Sequence, residues 1–152
     1  MFIGEAPGRD EDEKGIPFCG AAGKVLDEAI AECGLSQDEF YVSNIVKHRP
    51  PNNRTPTDSE RETCFTEILK NEITLVSPRC LVTLGNTSTQ FLLKTKRGIT
   101  QLKTRVHSYE GFPVFPMLHP AAIKHDPTRI AEWRADIVKL REFLNMQRRR
   151  FF

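Results

Sequence analysis

The sequence contains no apolar run approaching ~18 residues, which excludes a membrane-spanning helix. It has no C-x-x-C pair. Its four cysteines, Cys19, Cys33, Cys64 and Cys80, stand far apart, so no zinc or redox motif is visible. It has no complete P-loop either. Gly15 to Gly20 has the four-residue gap, but Ala21 follows where lysine is required; Gly20-Ala21-Ala22-Gly23-Lys24 has the lysine after the wrong gap. Nucleoside triphosphate binding is excluded on that ground. Net charge is scarce, only +2 over 152 residues, but it is unevenly spread. Residues 1–42 carry ten acidic and three basic side chains; residues 43–152 carry ten acidic and nineteen basic ones. A basic body behind an acidic front hints at a polyanionic partner. The first apolar stretch stops at Gly4 and shows no signal peptide. The expectation is a soluble, cytoplasmic chain whose cysteines are reduced.

What is present reads as one domain over 1–147 followed by a basic tail over 148–152. Met1-Phe2-Ile3 is the end of a strand. It is short for a central strand, so the natural product is expected to begin upstream of Met1. Ala22, Val25, Leu26, Ala29, Ile30 and Cys33 recur at helical spacing, with Gly34 as the C-cap. Phe40 to Val46 contains a strand, and Thr57 or Asp58 opens a helix that carries Cys64, Phe65, Ile68, Leu69, Ile73 and Val76 inward. Cys80 to Leu84 has the pattern of a strand buried on both faces. Strands over 105–109 and 112–117 flank a turn at Glu110-Gly111, and Pro113 and Pro116 place the second at an edge or make it short. A last helix runs from about Thr128 to Met146. Alternating strands and helices predict a three-layer α/β/α fold around a mostly parallel four-stranded sheet.

In such sheets ligands bind beyond the carboxyl ends of the strands. Glu5, Asn44, Asn86 and His119 all fall there. Each also has a plain reading: a turn carboxylate for Glu5, a turn former for Asn44, a packed loop histidine for His119, a core ring for Phe18. Together they make a pocket for a flat polar ring. Asparagine offers a donor and an acceptor to a pyrimidine edge. Histidine can donate to a carbonyl that gains negative charge. Phe18 can stack on the ring face.

Longer motifs add a resemblance. Gly4-Glu5-Ala6-Pro7-Gly8 with Glu11-Asp12, Gly15 to Gly23, Ser43 to Arg54, Leu84-Gly85, and Phe115 to Ala122 resemble family 4 uracil-DNA glycosylases. The resemblance runs in order from Met1 to about Leu144. It implies a DNA-repair hydrolase acting on the N-glycosidic bond of uracil in DNA, single- or double-stranded. It implies that Gly4, Glu5 and Ala6 line the uracil pocket, that Phe18 stacks on the flipped base, that Asn44 reads its edge, and that His119 stabilises the departing anion. It makes Glu5 the first choice and Glu11 the second for the carboxylate that handles water or the sugar cation. Lys47, Arg49, Arg54 and Arg97 would hold phosphates, and Leu118 to Ile123 would be a wedge loop. The family carries a 4Fe–4S cluster; here His48 and Cys64 stand at two of its ligand positions. Two ligands do not hold a cluster, so none is expected in this chain unless an upstream C-x-x-C exists. The chain is expected to act as a monomer. An alternative keeps the fold but makes it a catalytically weak or inactive DNA-binding or partner-docking domain.

Overall fold

The computed structural model describes residues 1–103 and 105–150. Five short strands form one sheet in the order β2-β1-β3-β5-β4. They are β1 (Phe2–Gly4), β2 (Val42–Asn44), β3 (Leu81–Leu84), β4 (His107–Tyr109) and β5 (Phe112–Met117). Four of them, β2, β1, β3 and β5, run parallel; β4 pairs antiparallel with β5. The expected mostly parallel sheet is therefore present, but among the described residues it has five strands rather than four, the antiparallel β4 closing one edge.

The second strand of the hairpin, β5, is not at an edge and is the longest of the five. Its prolines are accommodated by staggered partners. Pro113 pairs with Ser108 of β4 but precedes the register with β3, which begins at Val114. Pro116 pairs with Thr83 of β3 but lies beyond β4, whose register ends at Val114. Each proline has one neighbouring strand, so a missing N–H need not break a rung on both sides.

Side chains alternate across each strand, and this divides the core into two layers. Phe2, Val82, Leu84, Phe115 and Met117 face one side. They pack against Leu26, Ala29 and Ile30 of α2 (Ala21–Glu32), Ile123 of α7 (Pro120–His125), and Trp133, Ile137 and Leu140 of α8 (Ile130–Arg150). Met1, Ile3, Leu81 and Val114 face the other side, with Leu69 and Ile73 from 58–76 and Leu92 of α5 (Asn86–Leu93). Each fully buried aliphatic or aromatic side chain contributes roughly 1.5–3 kcal/mol. Cys33 and Cys80 belong to this core, and burial pushes their thiols up to about 11 and about 12.

The helical stretch over 58–76 departs from the expected pattern. Thr57 caps α3 (Asp58–Cys64), and the Glu60 carboxylate returns to the Thr57 N–H at 2.9 Å. A π-helical segment, Phe65–Leu69, then separates α3 from α4 (Lys70–Val76). The wider turn shifts the inward face, so Leu69 and Ile73 are buried while Ile68 and Val76 are exposed. At the other end of the chain α8 runs through Arg150, and Arg148 reaches Glu39 at 2.7 Å. Of the expected tail, Phe151 and Phe152 lie outside the described residues. Among the described residues no helix is long and apolar enough to cross a membrane.

Candidate active site

The carboxyl ends of β1, β2 and β5 meet at a recess of about 400 Å³. Glu11, Phe18, Asn44 and His119 line it. Backbone pairing continues past β1 and β2 to shape this end: the Ile45 N–H donates to the Gly4 carbonyl at 2.9 Å and the Val46 N–H to the Glu5 carbonyl at 3.1 Å. Asn44 stands opposite Gly4 at the end of this pairing. It is buried, and its Oδ1 has no hydrogen-bond partner among the described residues. A buried acceptor without a protein donor is costly unless a ligand or water supplies one.

Gly4 lies between Asn44 and Phe18. A Cβ there would stand 2.5 Å from Phe18 Cζ and 2.6 Å from Asn44 Oδ1, so any side chain would fill the space between ring and amide. Phe18 itself holds φ 53°, a left-handed conformation that is rare for an aromatic residue. The start of α2 presses on it. A Cβ on Gly23 would come 1.7 Å from the Phe18 carbonyl oxygen, so only glycine permits this contact. The run from Phe18 to Gly23 is thereby explained as a brace for the ring.

His119 precedes α7 and caps it. Its Nδ1 accepts the Ala121 N–H at 3.1 Å. An accepting Nδ1 carries no proton, so the neutral ring has its proton on Nε2 and can donate from there. Burial pulls the imidazole down to about 4, against the opposing charge of Glu11, which raises it. The ring lies 6.2 Å from Phe18, tilted by 29°. Glu11 sits on α1 (Arg9–Lys14), and its Oε1 accepts the Gly20 N–H at 3.0 Å.

The other expected residues are placed differently. Glu5 does not line the recess; its Oε2 accepts the Thr87 hydroxyl at 2.5 Å, at the start of α5. Asn86 turns away as well, its Oδ1 accepting the Ile99 N–H at 2.7 Å. Nothing in the sequence marks Thr87 as the partner of Glu5, because adjacent polar residues at a helix start look alike. Leu118, Pro120 and Ile123 are buried, so they cannot form an exposed wedge; their apolar side chains complete the core under His119. Ala6 lines the recess, and Gly4 stands against Phe18 and Asn44.

The basic residues are also largely engaged. Lys47 contacts Glu72 at 2.6 Å and Ser43, and Tyr41 adds a bond to Glu72 at 3.2 Å. Burial raises the Glu72 carboxyl, but the bonds from Lys47, Ser43 and Tyr41 outweigh it and hold the group below its usual range. Arg54 grips Glu60 through two bonds, 2.9 and 2.6 Å, and with the Thr57 N–H holds that carboxyl down at about 2. Arg49 donates to Asn53 Oδ1 at 2.7 Å. Arg97 is exposed, and its carbonyl accepts from Gln90 at 2.9 Å.

His48 and Cys64 do come together, lining a recess of about 300 Å³ with Pro50 and Pro51. Among the described residues no group of three or more His, Cys, Asp or Glu side chains is arranged to hold a metal. Two donors do not fit a 4Fe–4S cluster, which takes four.

The sequence profile of the Uracil DNA glycosylase superfamily matches residues 1–143, and the chain belongs to that superfamily. Within it the chain is similar to proteins named Type-4 uracil-DNA glycosylase. It is 39% identical to the one from Archaeoglobus fulgidus, over 93% of this chain and 75% of that protein. It is 41% identical to the one from Sulfurisphaera tokodaii, over 93% and 68%, and 38% identical to the one from Saccharolobus solfataricus, over 95% and 71%.

Proposed function

We propose that the chain is a type-4 uracil-DNA glycosylase that hydrolyses the N-glycosidic bond of uracil in DNA and leaves an abasic site. The partnerless Asn44 Oδ1 carries this reading. Uracil bears an N–H at ring position 3, flanked by carbonyls. Asn44 Oδ1 accepts that N–H, and its amide nitrogen donates to the adjacent carbonyl. Cytosine presents an acceptor at position 3 and is refused. Phe18 supports the ring face once the nucleotide has left the stack.

The chemistry follows the charge. As the bond from C1′ to the base breaks, its electron pair moves into the ring and onto the second carbonyl. His119 donates from Nε2 to that oxygen. A neutral donor fixed before the reaction stabilises the developing anion without reorganising. The sugar becomes cationic, and water attacks C1′. Its hydroxyl stays on the sugar, and its proton balances the uracil anion. Glu11 shares the recess with His119 and is the carboxylate for water and the sugar cation, in preference to Glu5. Glu5 instead fixes the β1 turn against α5.

The test is direct. A uracil-containing oligonucleotide incubated with the protein, without added nucleotide or metal, should yield free uracil and an alkali-labile abasic site. Binding without any release of uracil would favour the inactive, DNA-docking alternative.

A further inference from the structure

A recess of about 680 Å³ opens between α3, α5 and β4 and shares no lining residue with the one that holds His119. Its size suits a small-molecule ligand. Three half-buried rings line it. Phe65 meets Phe91 at 5.2 Å and Tyr109 at 6.1 Å, edge to face in both pairs. Phe65 also opens the π-helical segment, a rare widening of a helix that recurs at functional sites. One turn before it Arg61 contacts Asp58, while its Nε is buried and has no partner among the described residues. A buried donor without an acceptor is costly unless a ligand or water supplies one.

The charge around the rings is mainly positive. Lys70, Lys94 and Lys96 line the recess and are exposed, and none has an ion pair among the described residues. Gln90 steadies the segment that carries two of them: its Nε2 donates to the Lys96 carbonyl at 3.4 Å and to the Arg97 carbonyl at 2.9 Å. Of the carboxylates lining the recess, Asp58 is tied to Arg61 and Glu110 accepts the Tyr109 hydroxyl, which leaves Glu62 against the three lysines. We propose that this recess binds one nucleotide unit, its base laid against Phe65, Phe91 and Tyr109 and its phosphate on Lys94 and Lys96. Aromatic faces accept any base, and lysine takes phosphate as a point charge. Side chains hold the phosphate, so no P-loop is needed. The unit comes either free, as a nucleoside monophosphate, or as one nucleotide of a DNA strand. The site lies apart from the recess of the proposed reaction, and its occupancy does not depend on uracil release.

The experiment uses three probes: dAMP, 2-deoxyribose 5-phosphate, and a single-stranded oligonucleotide with one uracil. A purine is chosen because the pocket at Asn44 is read as taking a pyrimidine edge. Equilibrium binding of each probe is measured with wild-type protein and with the double variant Lys94→Glu, Lys96→Glu, whose exposed side chains can be exchanged without disturbing the core. Wild-type protein should bind dAMP at least about fivefold more tightly than the sugar phosphate, which has no base to stack. The charge reversal should weaken dAMP binding at least about tenfold. Where the nucleotide belongs to a strand, the charge reversal and saturating dAMP should each weaken oligonucleotide binding. An oligonucleotide indifferent to both, with dAMP still dependent on the lysines, makes the free nucleotide the occupant. Equal binding of dAMP and the sugar phosphate would reduce the recess to bare charge and overturn the proposal. So would dAMP binding that is unchanged in the variant, or no dAMP binding at all. Uracil release from the same oligonucleotide, read in parallel, decides the glycosylase reading separately.

Discussion

The Ala121 N–H donates to Nδ1 of His119 at 3.1 Å, so one ring nitrogen is spent capping α7 and the other is left as a donor. One side chain therefore starts a helix and, in the proposed reaction, also faces the base. His119→Ala removes both. It should cost about 1 kcal/mol through the lost cap, measurable by urea unfolding, in addition to its effect on the reaction.

The depressed imidazole has a consequence for stability. Unfolded, His119 takes up a proton near the ordinary histidine value of about 6.5; folded, only near about 4. Between these the unfolded state binds more protons, so stability falls as pH drops from 6.5 towards 4 and is constant from this source above 6.5. The contribution amounts to at most about 3 kcal/mol. Unfolding titrations of wild type against His119→Asn, whose side chain can still cap α7, should show a shallower acid decline in the variant. Equal declines would mean that the imidazole titrates normally in the folded protein.

Gly4→Ala should abolish uracil excision while leaving the fold intact. The added methyl would stand 2.5 Å from Phe18 Cζ and 2.6 Å from Asn44 Oδ1 and so push both side chains out of place. Circular dichroism should be unchanged and free uracil should cease to bind. Full activity would place the base elsewhere.

The two carboxylates separate by conservative substitution. Glu5→Gln retains an oxygen for Thr87, whereas Glu11→Gln removes the charge facing His119. We expect the single-turnover rate to fall by about 10²-fold or more for Glu11→Gln and by less than tenfold for Glu5→Gln. The reverse order would restore Glu5 as the reacting carboxylate.

Lys47→Ala should behave as a structural lesion. Both Lys47 and Glu72 are about one-fifth exposed, at 19% and 22% of their side chains. Leaving the Glu72 charge with only the hydroxyls of Ser43 and Tyr41 should cost on the order of 1 kcal/mol of stability. The salt dependence of DNA binding should stay the same, because this ammonium does not face solvent phosphate.

Much of this arrangement could be read from sequence because short-range rules governed it. Helical spacing located α2, and the run of apolar residues from Cys80 located β3. The convergence of Asn44 and His119 followed from the rule that loops at strand ends share one side of a parallel sheet. What escaped was set by partners distant in sequence. Nothing local distinguishes Lys47 from Arg49, yet Glu72 on α4 captures the first. Thr87 and Glu5 meet across 82 residues. The interior place of β5 depended on the staggering of β3 and β4, which no single strand reveals. The π-helical turn at Phe65–Leu69 leaves no mark in the apolar pattern, which points Ile68 inward although it is exposed.

The central claim is that a neutral His119, donating from Nε2, stabilises the departing uracil. The measurement that tests it is the single-turnover rate of uracil release by His119→Asn at saturating protein, alongside DNA binding by the same variant. The asparagine preserves the cap but is too short to reach the ring carbonyl. The account predicts unchanged DNA affinity and a rate lower by roughly 10²–10³-fold. A rate within about threefold of wild type, with the same affinity, would show that His119 is only the cap of α7 and that another group carries the leaving charge.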